Sequence, residues 1–239
     1  MKPAATAAGF CLIRSFAAGQ RRLFYGVRRL MSFQPIDIEQ WKRKEYYEHY
    51  LREVVCTYSL TVHLDITALE GQRLYPAMLW LLTASVNEME EFRTSLTAEG
   101  VGVYSDMHPS YTIFNRENKN FSVIWTEFHS DYHAFLKAYE RDVNRYGAST
   151  RFMPKENKPD NTFDVSMLPW TAFTSCNLNV YGDGRHLLPI FTMGKASVEN
   201  GKKRLPLAVQ VHHAVCDGYH VGKFLENLQT QIARFPAQI

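Results

Sequence analysis

Strand-like and helix-like segments do not alternate regularly along this chain. Three strand-like runs, "VGVYSDM", "SYTIFN" and "FSVIW", follow one another between residues 101 and 125, and only the polar turn "RENKN" separates the last two. Strict alternation of strands and helices would predict a doubly wound parallel sheet. Its absence predicts a single α/β domain, an α+β-like two-layer sandwich in which helices cover a mixed, mostly antiparallel sheet.

Four segments have the composition or the apolar spacing of helices. They are residues 37–53, 75–89, 130–147 and about 217–233. The last has the clearest pattern, because its apolar residues recur at helical spacing and form one stripe. That stripe consists of Val221, Phe224, Leu225, Leu228 and Ile232.

Further strands are predicted at residues 56–67, 168–181, 186–197 and 204–213, which are rich in β-branched and aromatic side chains. Asn200-Gly201 lies between the last two of these segments, and this dipeptide is typical of a two-residue hairpin turn.

The first 30 residues differ in composition from the rest. They hold six Lys and Arg residues and no Asp or Glu, so the formal net charge of +3 becomes −3 for residues 31–239. The positive charge therefore gives no reason to expect a nucleic-acid partner. We expect residues 1–30 to be a disordered or non-native N-terminal extension, with an organelle transit peptide as the alternative, and residues 31–239 to form the folded domain. The apolar run in the extension is too short to span a bilayer.

The four cysteines are scattered and include no C-x-x-C pair. This arrangement is typical neither of a disulfide framework nor of a zinc ribbon. It fits a protein of the reducing cytoplasm, and we expect no bound metal.

The stretch "HHAVCDG" joins the last predicted strand to the last predicted helix. His212 and His213 are adjacent in the strand, so their side chains should point to opposite faces, and Asp217 is placed to cap the helix. Three interpretations remain open on the residues alone. The histidines could simply pack, they could bind a metal together with Cys216 and His220, or one could act as a general base, a role that suits a side chain whose charge changes near neutral pH.

The complete string resembles the H-H-x-x-x-D-G signature of the chloramphenicol O-acetyltransferases, which also occurs in related acyltransferases. Other stretches are similar to that family in order and spacing, over essentially all of residues 31–239. They are "WKRKEYYEHY", "CTYSLTVHLDIT", "YPAML", "HPSYTIFN", "NFSVIWTEF", "SMLPWTAFTSCNLNV", "PIFTMGK" and "LPLAVQVHHAVCDGYHVGKF".

The resemblance implies an enzyme that moves the acetyl group of acetyl-CoA to the 3-hydroxyl of chloramphenicol without an acyl-enzyme. His213 matches the general base of the family. Ser166, before the Pro-Trp of "SMLPW", matches the donor to the tetrahedral oxyanion, and Thr192 matches a threonine that helps to hold a water there. Asp217 and Arg43 match a structural ion pair, which we expect instead of a Ser166–His213–Asp217 hydrolase triad, because "DVSMLPW" lacks the glycines of a nucleophile elbow.

The resemblance also implies an apolar, ring-rich acceptor pocket, a coenzyme site and a homotrimer whose active sites lie between subunits. The matching acceptor positions are Tyr50, Val54, Cys56, Tyr58, Phe121, Met153, Cys176 and Leu178. Core packing is the alternative for each acceptor position. Trp170 and Lys195 match positions on the coenzyme side, and an exposed hairpin lysine is an equally good interpretation of Lys195. Rival functions are an acyltransferase of the same fold with another alcohol or amine acceptor, and a catalytically silent trimeric binding protein or metal-binding module.

Overall fold

The computed structural model describes residues 33–178, 180 and 182–235. The predicted extension at residues 1–30 lies outside them. The strands are β1 (Phe33–Pro35), β2 (Thr57–Asp65), β3 (Thr94–Thr97), β4 (Gly100–Tyr104), β5 (His108–Phe114), β6 (Phe121–Trp125), β7 (Thr162–Met167), β8 (Ile190–Met193), β9 (Ser197–Glu199) and β10 (Lys202–His212).

Seven of these strands form one large sheet. Its order is β2-β10-β8-β7-β5-β6, and β9 pairs with β10 as an additional strand. β7 runs parallel to both β5 and β8, and the other paired strands are antiparallel. β1, β4 and β3 form a small antiparallel sheet. The prediction of a mixed, mostly antiparallel sheet is confirmed.

The α-helices are α1 (Lys44–Glu48), α2 (Leu74–Asn87), α3 (Tyr132–Tyr146) and α4 (Gly218–Arg234). The continuous helix predicted over residues 37–53 is wrong, because this segment divides into a 3-10 turn (Ile38–Gln40), α1 and a π-helical turn (His49–Glu53). The N–H of Val54 closes the π turn by donating to the carbonyl oxygen of His49 at 2.9 Å. Such single wide turns are frequent at functional sites.

The three longer helices cover one face of the large sheet. Phe224 of α4 stacks on Phe191 of β8 with ring centroids 5.3 Å apart, and Tyr139 of α3 stacks on Tyr111 of β5 at 5.5 Å. Alternate residues of a strand point to opposite faces, and directly opposed residues of neighbouring strands share a face. The other face, which we call the serine face, is therefore defined by Phe114, Phe121, Asp164, Ser166 and Thr192.

Two segments between α3 and β8 differ from the sequence prediction. β7 was not predicted, and residues 168–178 and Val180, expected to form a strand, contain none. A strand needs a neighbouring strand to receive its backbone hydrogen bonds. Here the backbone N–H of Cys176 donates to a side chain instead, the hydroxyl of Thr61, at 3.2 Å.

The last hairpin and helix agree with prediction. Asn200 and Gly201 have φ values of 51° and 74°, as a two-residue turn between β9 and β10 requires. The apolar stripe of α4 faces the core, where Val221, Phe224, Leu228 and Ile232 are fully buried. Within the described ranges, no helix has the length and apolar character needed to cross a membrane.

Candidate active site

His213 lies directly after β10, where the chain leaves the sheet. Its backbone N–H still pairs with β2, donating to the carbonyl oxygen of Cys56 at 2.9 Å. Asp217 then forms the N-cap of α4, and its backbone N–H donates to Nδ1 of His220 at 2.9 Å in a capping box. Because a strand end and a helix start bound it, the turn 213–217 has little freedom to move.

Arg43 fixes this turn from the other side. Its guanidinium donates to both carboxylate oxygens of Asp217 at 2.6 Å, to the carbonyl oxygen of His213 at 2.8 Å and to that of Ala214 at 2.9 Å. The hydrogen bonds from Arg43 hold the pKa of Asp217 below its usual value. The structure therefore contains the ion pair that was inferred from the resemblance.

Two tyrosines enclose the imidazole of His213. The ring of Tyr50, in the π turn, stacks on it with centroids 4.1 Å apart and planes 3° from parallel, and the ring of Tyr58 meets it edge-on at 5.3 Å. Burial raises the pKa of Tyr58 well above its usual value, so its hydroxyl stays protonated and donates to the carbonyl oxygen of Cys216 at 3.3 Å. The imidazole is thus held mainly by ring packing, and 29% of it remains exposed.

The Asp217 carboxylate does not complete a catalytic triad. Its Oδ1 lies 3.0 Å from Nδ1 of His213, but the two atoms do not form a hydrogen bond of acceptable angle. The same oxygen accepts from Arg43. Nδ1 of His213 is buried beside this negative charge, which leaves Nε2 as the nitrogen available to a ligand.

His212 packs on the opposite side of the strand, as predicted. It is 1% exposed, and its Nδ1 accepts from the backbone N–H of Ala214 at 3.1 Å. Burial lowers the pKa of His212, so this imidazole is neutral. Burial also raises the pKa of the Cys216 thiol, which therefore stays protonated. Over the described part of the chain, no three His, Cys, Asp or Glu side chains are grouped to hold a metal ion.

Ser166 lies on β7, far from His213 in the same chain. Its Oγ is 3.1 Å from Oγ1 of Thr192, and the sheet register aligns both residues with Ala208 of β10. His213 is five residues beyond Ala208, so the strand geometry separates Ser166 from His213 by roughly 17 Å along the strands and about 10 Å across them. The two side chains also point to opposite faces of the sheet.

The other predicted site residues divide between these two places. Tyr50, Cys56 and Tyr58 surround His213, and Val54, 52% exposed, follows the π turn. Phe121 lies on the serine face, on β6, two strands away from the β7 strand that carries Ser166.

The remaining predicted residues lie in or beside loops. Met153 follows the exposed Phe152, and Trp170 meets Phe114 edge-on at 4.7 Å. Cys176 and the exposed Leu178 lie in the strandless segment. Lys195 lies in the connection between β8 and β9, exposed, with its backbone N–H donating to the carbonyl oxygen of Thr171 at 2.8 Å.

Sequence reasoning passed over several residues of the serine side. Phe152 and Phe114 are large, exposed aromatic residues, and their rings contact the predicted residues Phe121 and Trp170. The hydroxyl of Ser110 and the indole N–H of Trp125 are buried on the same face without hydrogen-bond partners among the described residues. Phe152 could have been found because it is next to the predicted residue Met153. Nothing in the sequence singles out the buried polar atoms of Ser110 and Trp125.

Comparisons with known proteins agree with this architecture. A family model for chloramphenicol acetyltransferase matches residues 31–229. A chloramphenicol acetyltransferase of Campylobacter coli is 52% identical over 202 residues, which cover 83% of this chain and 98% of the relative. A solved chloramphenicol acetyltransferase superposes with a TM-score of 0.75 at 24% identity, over 84% of this chain and 100% of the other. The cubic core of the pyruvate dehydrogenase multienzyme complex gives a TM-score of 0.61 at 18% identity, over 93% and 99%.

The two structural likenesses establish the fold, and the sequence matches establish a closer relationship. They extend through both the His213 turn and the Ser166 strand. The chain therefore belongs to the chloramphenicol acetyltransferase family.

Proposed function

We propose that this protein transfers the acetyl group of acetyl-CoA to the 3-hydroxyl of chloramphenicol, which inactivates the antibiotic. The observation that carries the proposal is the position of the His213 imidazole. The ring stacks on Tyr50, Arg43 holds the turn that bears it, and Nε2 is free to contact a ligand. No protein nucleophile is needed, because the acceptor hydroxyl attacks the thioester directly.

His213 acts as the general base at Nε2. It takes the proton of the 3-hydroxyl as that oxygen attacks the thioester carbonyl carbon. The buried Nδ1 then carries the other proton, while the Arg43–Asp217 ion pair keeps the turn that bears the imidazole in place. When the tetrahedral intermediate collapses, the C–S bond breaks and the imidazolium returns the proton to the leaving thiolate of CoA. A positioned base of this kind contributes about 10²–10⁴-fold to the rate.

Ser166 donates a hydrogen bond from its hydroxyl to the oxyanion of the tetrahedral intermediate. Thr192, 3.1 Å from the serine oxygen, helps to orient that hydroxyl and to hold a water beside it. Loss of one oxyanion donor costs about 3 kcal/mol of transition-state stabilisation. Ser166 is not itself a nucleophile, because among the described residues its side chain is hydrogen-bonded to Thr192, a hydroxyl and not a base.

The reacting groups come from different subunits of a homotrimer. The separation of roughly 17 Å along the strands prevents Ser166 and His213 of one chain from contacting the same carbonyl group. Exposed apolar side chains also lie both in the His213 region and in the Ser166 region, and a neighbouring copy would cover them. They are Val54, Val55, Leu178 and Val180 on one side and Phe114, Phe121, Phe152, Met153, Leu168 and Trp170 on the other.

The apolar residues supply the substrate surfaces. Tyr50, Val54, Cys56 and Tyr58 form the wall beside His213, and Phe121 and Met153 form the facing wall, with Cys176 and Leu178 at the junction. Trp170 and Lys195 contact acetyl-CoA. The scattered cysteines without a C-x-x-C pair fit a protein that works in the reducing cytoplasm.

A thiol-release assay with the purified protein and acetyl-CoA tests the proposal. Release of free CoA that depends on chloramphenicol, with 3-acetylchloramphenicol as product, supports it. Release that requires a different alcohol or amine would assign the chain to another acceptor. Absence of release with any acceptor would contradict the acetyltransferase activity.

A further inference from the structure

The loop between α3 and β7 presents apolar side chains beside the edge strand β6. Phe152 is 61% exposed and Met153 is 44% exposed. The ring of Phe152 lies 5.9 Å from that of Phe121, in a T-shaped contact. We call Phe121, Phe152 and Met153 the apolar wall. Under the proposed function it faces the acceptor, so its rigidity affects acceptor binding.

Two hydrogen bonds tie the loop to β6, one at Arg151 and one at the wall residue Phe152. The N–H of Val123 donates to the carbonyl oxygen of Phe152 at 2.7 Å, and the hydroxyl of Ser122 donates to that of Arg151 at 2.7 Å. These bonds fix the backbone on the N-terminal side of Met153 but not on its C-terminal side.

Lys155 ties the loop down after the wall. Its Nζ donates to the carbonyl oxygen of Trp125 and to Oδ2 of Asp142, both at 2.8 Å, and lies 3.9 Å from the centroid of the Trp125 ring. The exposed fractions of the Lys155 and Asp142 side chains are 13% and 6%. Asp142 in turn accepts from the hydroxyl of Thr126 at 2.9 Å. Met153 is therefore held between two anchors, the carbonyl of Phe152 and the ammonium of Lys155.

The same ammonium fixes Trp125. This indole lies on the serine face, where its N–H is buried without a hydrogen-bond partner among the described residues. Lys155 thus controls two neighbouring parts of the acceptor side, the apolar wall and the Trp125 ring.

The Lys155–Asp142 ion pair contributes little to the stability of the fold. Burial lowers the pKa of Lys155 even though Asp142 opposes the shift, so folding disfavours the charged ammonium. Buried ion pairs can often be replaced by uncharged groups of similar shape at little or no cost in stability. A role in geometry explains the arrangement better than a contribution to the free energy of unfolding.

We propose that Lys155, held by Asp142, is a positioning residue that fixes the apolar wall and Trp125 for acceptor binding. The inference rests on the proposed function. Its consequence is selective: loss of the pair weakens binding of chloramphenicol, while the KM for acetyl-CoA and kcat change little, because His213 and Ser166 lie on other elements.

The test compares Lys155→Met and the double variant Asp142→Asn/Lys155→Met with the wild type. Lys155→Met alone leaves the buried Asp142 carboxylate with the more distant Arg141, 3.8 Å away, as its cation, and lowers Tm. The double variant removes both charges, keeps the shape and keeps Tm close to that of the wild type. Lys137→Met, on the exposed side of α3, is the control for loss of a surface lysine.

In the double variant we expect the chloramphenicol KM to rise by about tenfold, as when part of an apolar contact is lost. The acetyl-CoA KM and kcat should stay within about twofold of the wild type. An unchanged chloramphenicol KM, or an equal loss in all three parameters, would overturn the positioning role. A wild-type protein that releases no thiol with chloramphenicol would instead overturn the proposed function, and with it the acceptor assigned to the wall.

Discussion

Arg43 holds the carboxylate of Asp217 by two hydrogen bonds of 2.6 Å, and the same guanidinium donates to the carbonyl oxygen of His213. The ion pair and the backbone that carries the imidazole are therefore one unit. Disturbing either charge should affect both the stability of the fold and the position of the base.

Replacement of Asp217 by asparagine should lower both Tm and turnover. Breaking the pair from one side costs about 2–4 kcal/mol, less than for full burial because part of the carboxylate is exposed. That corresponds to a fall of about 4–16 °C in a domain of this size. Thermal melts and steady-state rates check this. Glu226→Gln, which breaks the exposed Lys223–Glu226 pair on α4, is the control and should melt normally. A normal Tm for Asp217→Asn would show that the ion pair is dispensable.

Acid should remove the contribution of the same ion pair. The pKa of Asp217 in the fold is below its usual value of 3.8, so its contribution is complete above that value and is lost as pH falls through the lower, folded pKa. The Tm difference between wild type and Asp217→Asn should therefore be constant near neutral pH and shrink below about pH 4. Thermal melts over a pH series measure it. A difference that stays constant in acid is incompatible with this assignment.

Ser166→Ala should lower kcat by about 10²–10³-fold, the usual loss for one oxyanion donor. The chloramphenicol KM should change little, because the hydroxyl acts mainly in the transition state. Steady-state kinetics with both substrates separate the two parameters. Ser197→Ala, in the short strand β9, is the control and should behave like the wild type. If Ser166→Ala raised KM without changing kcat, the serine would be a binding group and not an oxyanion donor.

Complementation between two inactive variants tests the shared site. His213→Ala and Ser166→Ala chains, mixed equally with full subunit exchange, should regain about one quarter of the wild-type activity, because each site takes one residue from each of two neighbours. Differently tagged chains allow mixed assemblies to be isolated and assayed. Mixed assemblies that remain as inactive as their parents would place both residues in one subunit's site.

The sequence predicted well those elements whose local residue pattern matches their place in the folded chain. The stripe of α4 faces the core, and Asn200-Gly201 supplies the two left-handed residues of its hairpin. In β7, Phe163 and Val165 alternate with Asp164 and Ser166, so a strand signal was present but short and partly polar.

The prediction failed where the outcome depends on a partner outside the segment. Residues 168–178 have the composition of a strand, but after Leu168, whose N–H donates to the carbonyl oxygen of Met193 at 2.8 Å, these residues build no continuous ladder and contain no strand. The helix predicted over residues 37–53 is interrupted at Trp41, whose backbone is extended with φ −76° and ψ 121°. It then continues from Lys44 to Glu53, where α1 widens into the π turn that carries Tyr50 to His213. The roles proposed for His213 and Ser166 come from family resemblance, while their separation within one chain became visible only through strand register.

Turnover of the His213→Ala protein tests the central claim most directly. Chloramphenicol-dependent thiol release should fall by about 10²–10⁴-fold or more, the contribution of a positioned general base, while Tm and assembly remain those of the wild type. His213→Gln, which keeps a polar side chain of similar reach but cannot take up the proton, should be equally impaired. Turnover near the wild-type value in either folded variant would contradict the assignment of His213 as the base.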